Sequence, residues 1–293
     1  IIDPSSGYDR NGDLLINNGT IVAREAHIEK ESLSDVIIVD AGGLIVCPGF
    51  IDLHCHLREP GFEYKETIST GTRAAARGGF TTLCSMPNTE PAIDNVAVVD
   101  YIRAKTVEDG VVRVWPIGCV TKGRKGYELS EMEELAIAGV VAFSDDGDPV
   151  WDSNIMRLAL AYSKDLDLPI SNHCQDHTLS KGGVMCEGPV STRLGLPGIP
   201  AAAEEAMVAR DIALAELTGG KLHVAHLSTA GSVALVREAK NRGLSITAEV
   251  CPHHLLLTDE RVLTSSDDMN GISPNDSYDT STKVYPPLRT SND

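Results

Sequence analysis

The stretch GFIDLHCHLREPG, residues 49–61, sets two histidines on either side of one cysteine. Alternate side chains of a β-strand share a face, so His54 and His56 point one way and Cys55 the other. Two imidazoles on one face can grip a single metal ion. Taken alone, the pair is equally a strand end that carries two histidines by chance. The rest of the chain supplies more of the same chemistry, because further apolar runs end at their carboxyl sides in Asn88, Asp146, His173 and His226. Four histidines and a carboxylate are ligand types of a zinc site, and a bridging carboxylate could hold two zinc ions.

Within SDDG two carboxylates compete for one role. Strand alternation gives Asp146 the parity of Ala142 and Ser144, and Asp145 that of Val141 and Phe143, so Asp146 is expected on the small, polar, site-facing side. His223, three residues before His226, is expected on the opposite face of its strand, outside the site. His27, His177, His253 and His254 read as polar surface. Arg58 offers a planar fork for a carboxylate, although a surface salt bridge with Glu59 or Glu63 would also explain it. Asn88 can both donate and accept.

The elements that must position these groups alternate in type. Residues 1–48 read as a small β segment, a partial β-sandwich, from runs such as GDLLINNGTIVA and DVIIVDAGGLIVCPG. From residue 49 onward, strand-like runs (FIDLHCHL, FTTLCSMPN, VVRVWPIGCV, GVVAFSDDG, PISNHCQD, KLHVAHLS, SITAEVCPHHLL) alternate with helical stretches. Seven strands separated by helices predict an α/β fold with a parallel sheet, either a closed (β/α)8 TIM-type barrel or an open doubly wound sheet. A barrel brings all strand ends to one mouth. No G-x-G-x-x-G follows the first strand and no phosphate-binding loop signature occurs, which disfavours the open nucleotide-binding sheets. The expectation is a metal-dependent hydrolase barrel over 49–293, incomplete because no eighth strand follows.

Composition narrows the function classes. A formal net charge of −17 over 293 residues would repel nucleic acid and anionic membranes, so neither is expected as a partner. The seven cysteines include no C-x-x-C pair and suit reduced thiols, with Cys47, Cys84 and Cys119 expected in the core. No signal peptide or membrane span is legible, which predicts a soluble, cytoplasmic protein. A start at Ile1 and a stop at RTSND suggest an excerpt of a longer chain.

Together, GFIDLHCHLREPG, SMPNTEPAIDN, AFSDDGDPV, NHCQD, AHLST, EVCPHHLLLT and PPLR resemble, in order, the blocks of the amidohydrolase superfamily, and within it of the class I dihydroorotases. The resemblance implies that His54 and His56 bind one zinc, that Asp146 bridges to a second, and that His173 and His226 complete it. It implies that Arg58 and Asn88 hold a substrate carboxylate. The reaction it implies is the reversible closure of N-carbamoyl-L-aspartate to dihydroorotate with loss of water, a step of pyrimidine synthesis. Implied partners are that small molecule, a second copy in a homodimer, and aspartate transcarbamoylase. Two departures stand out. The family's catalytic aspartate, in a TDHAPH-like motif on an eighth strand, does not occur in these 293 residues, which puts activity of this stretch alone in doubt. Tyr285 stands in VYPPLR where the family commonly has a substrate-contacting asparagine. The polar run TSSDDMNGISPNDSYDTST reads as a lid-like loop. Rival readings are an allantoinase- or hydantoinase-like cyclic amidase, which Arg58 speaks against, and a non-catalytic scaffold for the transcarbamoylase, which the full set of five ligands speaks against.

Overall fold

The computed structural model describes residues 1–29, 34–263 and 278–293. Three strands, Phe50–Cys55, Phe80–Ser85 and Arg113–Pro116, pair in parallel in chain order. A second parallel trio, Ile170–Asn172, Leu222–Val224 and Ile246–Ala248, also runs in chain order. Phe143 joins the two, with parallel bridges to Gly118 on one side and Ile170 on the other. The sheet therefore has seven sequential strand positions, the fourth shortened from the expected run GVVAFSDDG to a pair of bridges.

Helices occupy each crossover, and side-chain caps fix the first turn of four of the six. Ile68–Arg77 starts at Thr67, whose side chain accepts from Thr70 N–H in a capping box. Val96–Asp109, Ser153–Asp165 and Ala230–Asn241 are capped by Asn95, Asp152 and Thr229, which satisfy amide groups that have no partner inside the helix. Met132–Ala138 and Ala202–Thr218 fill the remaining crossovers.

Strand alternation sorts the side chains into two layers. Leu83, Phe143, Ile170, Leu222, Val224 and Ile246 pack with helix residues such as Ile102, Leu160, Val208 and Val236 in the main core. Their sequence neighbours Cys84 and Ala142 join Met86 and Ile117 in a small cluster on the other face. That face is the concave one. Strands spaced about 4.8 Å apart would put the first and seventh of a flat sheet roughly 29 Å apart, yet the His54 and Glu249 side chains meet at 2.6 Å. The sheet is thus curled into an arc whose inner face is lined by the second layer. Among the described residues no strand bridges its two ends.

The N-terminal segment departs from expectation in part. Asp13–Asn17 and Thr20–Glu25 form the expected hairpin, with Asn18 and Gly19 both at positive φ, 48° and 75°, as a two-residue Asn-Gly turn requires. Residues 36–49, expected as strands, contain none, and Ile37 and Val39 are 94% and 81% exposed. Their apolar character needs a partner strand, and the described residues provide none beyond one bond from Ile2 N–H to the Val46 carbonyl. Cys47, expected in the core, is exposed, whereas Cys84 and Cys119 are buried. Among the described residues no helix is long and apolar enough to cross a membrane.

Candidate metal centre

Asp146 is the hub. It follows the fourth strand position on the concave side, is buried, and presents its two oxygens to two pairs of imidazoles. Oδ2 lies 3.4 Å from His54 Nε2 and 3.5 Å from His56 Nε2. Oδ1 lies 3.4 Å from His226 Nε2 and 3.6 Å from His173 Nδ1. Those last two nitrogens stand 2.8 Å from each other. His54, Asp146 and His226 each place a donor atom within 4.8 Å of the other two, and the group could hold a metal ion.

The spacing is informative. Asp146 Oδ1 is fully buried and makes no hydrogen bond, because the nitrogens facing it stand off beyond good hydrogen-bond range. Two ligand atoms each about 2.0–2.2 Å from one tetrahedral ion would stand about 3.3–3.6 Å apart. The four nitrogen–oxygen distances around Asp146 fall in that band, whereas the 2.8 Å between His173 Nδ1 and His226 Nε2 is shorter and would have to open for both to hold one ion. The donor set, imidazoles around an anionic carboxylate, fits a divalent cation of the zinc type.

Neighbouring groups lock the rings. His54 Nδ1 is 2.6 Å from Glu249 Oε1, and His56 Nδ1 is 2.9 Å from Asn88 Oδ1. An acceptor at Nδ1 holds a proton there, so Nε2 is the nitrogen aimed at the centre, where a metal ion would displace any proton it carries. Asn88 also donates to the Asp146 carbonyl at 3.3 Å, tying the second strand end to the fourth. Glu249 reaches His223 Nε2 at 3.3 Å through its other oxygen and accepts from His226 N–H.

The electrostatics follow from this crowding. Burial opposes charge on Asp146, but the His173, His226 and His54 rings outweigh it and hold the carboxyl far below the usual range. Burial likewise opposes Glu249, and His223 and His54 outweigh it downward. His54, between the two carboxylates, is raised against its own burial to about 10. Burial lowers His56 and His226, favouring neutral imidazoles. A proton on His54 thus balances two carboxylates, and a bound cation would take its place.

The neighbouring Asp145 has another job. Val120 N–H and Thr121 N–H donate to its Oδ1 at 2.9 and 3.1 Å, and the Thr121 hydroxyl to Oδ2 at 2.5 Å. Burial raises it to about 6. It ties down the loop after the third strand and does not face the histidines.

His223 is a correction. The register sets it beside Ser171 and Thr247 on the concave face, with Leu222 and Val224 toward the helices. His226 would share the helix-facing parity of Val224, but its φ of 36° takes the chain out of the strand and turns the ring inward. The expected positions were therefore wrong for His223, and parity does not explain His226. Arg58, also at positive φ (62°), makes no ion pair among the described residues. Glu59 instead accepts from Ile68 N–H and the Tyr101 hydroxyl. The Asn88 amide faces His56 and Asp146 rather than open space. Tyr285 stands apart: its hydroxyl donates to the Gly183 carbonyl at 2.8 Å and its ring faces Lys283. His27 is exposed beside Asp13. The run expected as a lid lies largely in 264–277, outside the described residues. Sequence reasoning missed Glu249, although it ends the seventh apolar run as the other site groups end theirs.

A curled parallel α/β sheet whose strand ends gather a buried carboxylate and four imidazoles defines a protein built around a metal-binding type of centre. The family model described as Dihydro-orotase-like matches residues 43–232, and the chain belongs to that family. Curated relatives include a dihydroorotase of Pelotomaculum thermopropionicum, 54% identical over the whole chain, and one of Caldanaerobacter subterraneus subsp. tengcongensis, 53% identical over the whole chain. The chain spans 65% and 64% of their own lengths. Among solved structures, an L-hydantoinase (dihydropyrimidinase) from Arthrobacter aurescens superposes with a TM-score of 0.72 at 20% identity, over 96% of this chain and 60% of that one. A D-hydantoinase gives 0.71 at 24% identity, over 95% and 60%. These two likenesses establish the fold alone.

Proposed function

We propose that the chain carries the metal centre of a dihydroorotase, which interconverts N-carbamoyl-L-aspartate and dihydroorotate. The observation that carries the reading is the placement of four histidines around the two oxygens of one buried aspartate, in a chain half identical to dihydroorotases along its whole length. His54 and His56 would hold one zinc ion and His173 and His226 a second, with Asp146 shared between them. Zinc bound there would make hydroxide available near neutral pH and polarise the scissile carbonyl.

The chain's own residues set the conditions for that chemistry. Glu249 and Asn88 fix which nitrogen of His54 and His56 faces the centre, so the ligands need no reorganisation. Burial of Asp146 keeps competing water from its oxygens and strengthens its field on whatever the rings hold. Arg58, on the loop just past His56 and without an ion-pair partner among the described residues, offers its guanidinium to a substrate carboxylate. Asn88 in its present setting is a positioning residue for His56, and a second contact from it to substrate would use its remaining amide hydrogen. The seven-position arc is read as most of a (β/α)8 barrel spanning 49–293, preceded by a β segment over 1–48.

The test is hydrolysis of dihydroorotate by the full-length gene product, with zinc measured on the same sample and His54→Ala as control. Turnover and zinc that disappear together in the variant support the reading. Zinc without dihydroorotate turnover, or turnover of a hydantoin in its place, overturns the substrate assignment.

A further inference from the structure

Just beyond the seventh strand, Pro252–Leu256 forms a short helix with proline in its first turn. The turn brings Cys251, His253 and His254 round so that one ligating atom of each lies within 4.8 Å of the other two. All three residues are partly buried. The rings of His253 and His254 lie 4.3 Å apart between centroids.

His254 shows which way its lone pair points. Its Nε2 lies 3.1 Å from the Pro286 carbonyl. A carbonyl only accepts, so Nε2 carries the proton and Nδ1 keeps its lone pair. That Nδ1 is buried and has no hydrogen-bond partner. A backbone carbonyl on the far nitrogen is also the contact that orients metal-ligating imidazoles. The donor set differs in kind from the one around Asp146, since it contains a thiol and no carboxylate.

We propose that Cys251, His253 and His254 form a second metal site, taking one thiophilic divalent cation such as Zn2+, separate from the centre around Asp146. Sulfur and imidazole donors select zinc-like ions over magnesium and calcium. Three protein ligands leave a fourth position open. His254 also lines a cavity of about 310 Å³ with Glu249, Ser228, Leu255 and Asp293, from which water or a small ligand would complete the set. Binding transfers the thiol proton to solvent as the sulfur–metal bond forms, and no electron changes hands.

Cobalt tests this without any assay of turnover. The full-length gene product, stripped of metal, is titrated with Co2+. A thiolate-to-cobalt charge-transfer band in the near ultraviolet is expected, because the Asp146 centre contains no sulfur ligand. Cys251→Ser should abolish the band and remove one equivalent of bound cobalt, while the visible bands from the histidine centre persist. His253→Gln should weaken the band's titration by more than about tenfold. Absence of the band in the unaltered protein overturns the site, as does its survival in Cys251→Ser. Should Cys251→Ser lose the visible bands as well, through misfolding, His253→Gln decides, and an unchanged affinity there also overturns it.

Discussion

The two groups of ligand-type side chains both stand at or just past strand ends of the one sheet, yet they are built on opposite plans. Around Asp146 every imidazole is buried or partly buried, two of the four, His54 and His56, face a partner at the second nitrogen, and the donors come from strands one, four, five and six. At Cys251 the donors come from one short turn and, among the described residues, only His254 has an orienting contact. The first is preorganised by the whole sheet, and the second by four consecutive residues and one contact to the Pro286 carbonyl. The difference teaches that affinity at the first should depend on many remote parts of the fold, and at the second chiefly on local sequence.

The largest break in that comparison is Asp146→Ala. Removing the one group that faces all four rings should abolish metal binding at the histidine centre and take hydrolysis below detection, whereas the thiolate band at Cys251 should remain. Atomic absorption, alongside the cobalt spectrum, reads both. Retention of stoichiometric metal without Asp146 would show that the imidazoles suffice and that the carboxylate is not the hub.

Glu249→Gln comes next. Losing the acceptor charge at His54 Nδ1 should weaken metal affinity on the order of 10- to 100-fold. It should also reshape the pH dependence of the metal-free protein. His54 is raised from 6.5 to about 10, so its contribution to stability is complete below pH 6.5 and is lost as pH rises through about 10. Asp146 and Glu249 are held below their ordinary values of 3.8 and 4.5, so theirs is present above those values and lost as pH falls below them. Denaturant midpoints measured across pH should therefore fall on both sides, and Glu249→Gln should bring the alkaline fall to lower pH. An unmoved alkaline limb would mean that Asp146 alone holds the proton on His54.

Asp145→Ala isolates position from chemistry. It leaves two amides and a hydroxyl without their acceptor, which should cost about 2–4 kcal/mol of stability, with metal stoichiometry unchanged. Equal loss of metal in the two aspartate variants would erase the distinction drawn between neighbours.

That distinction was legible before any coordinates. Alternation along VVAFSDDG put Asp146 with the small inward residues, and the strand holds that parity despite being reduced to two bridges at Phe143. The seven strand positions and their helices were legible too, because strand-like runs alternate with helical stretches, and four of the six helices begin at a side-chain cap. Alternation failed wherever the chain stops being a strand. The positive φ at His226 reverses the side its ring takes, and a single-residue kink leaves no trace in a hydrophobic pattern. Residues 36–49 have a strand's composition but no partner strand among the described residues, and composition does not encode pairing. Glu249 was passed over for another reason: an acidic residue after an apolar run looks like surface unless the histidine 195 residues away is known to meet it.

The smallest expected effect sits one contact further out. His223 touches no proposed ligand; it holds Glu249 Oε2 from 3.3 Å and is itself anchored to Thr247 Oγ1 at 2.8 Å. Its influence on the centre has to pass through the Glu249 carboxylate, whose other oxygen is already fixed by His54. His223→Gln keeps a donor within reach, so metal affinity should drop only a few-fold, and His223→Ala should cost more, approaching but not reaching the effect of Glu249→Gln. Calorimetric titration of zinc into the three metal-free variants ranks them. If His223→Ala matches Glu249→Gln, the carboxylate cannot hold its pose with His54 alone. The preorganised centre then extends to the concave face of the sixth strand, and the contrast with the local Cys251 turn is wider than first-contact geometry suggests.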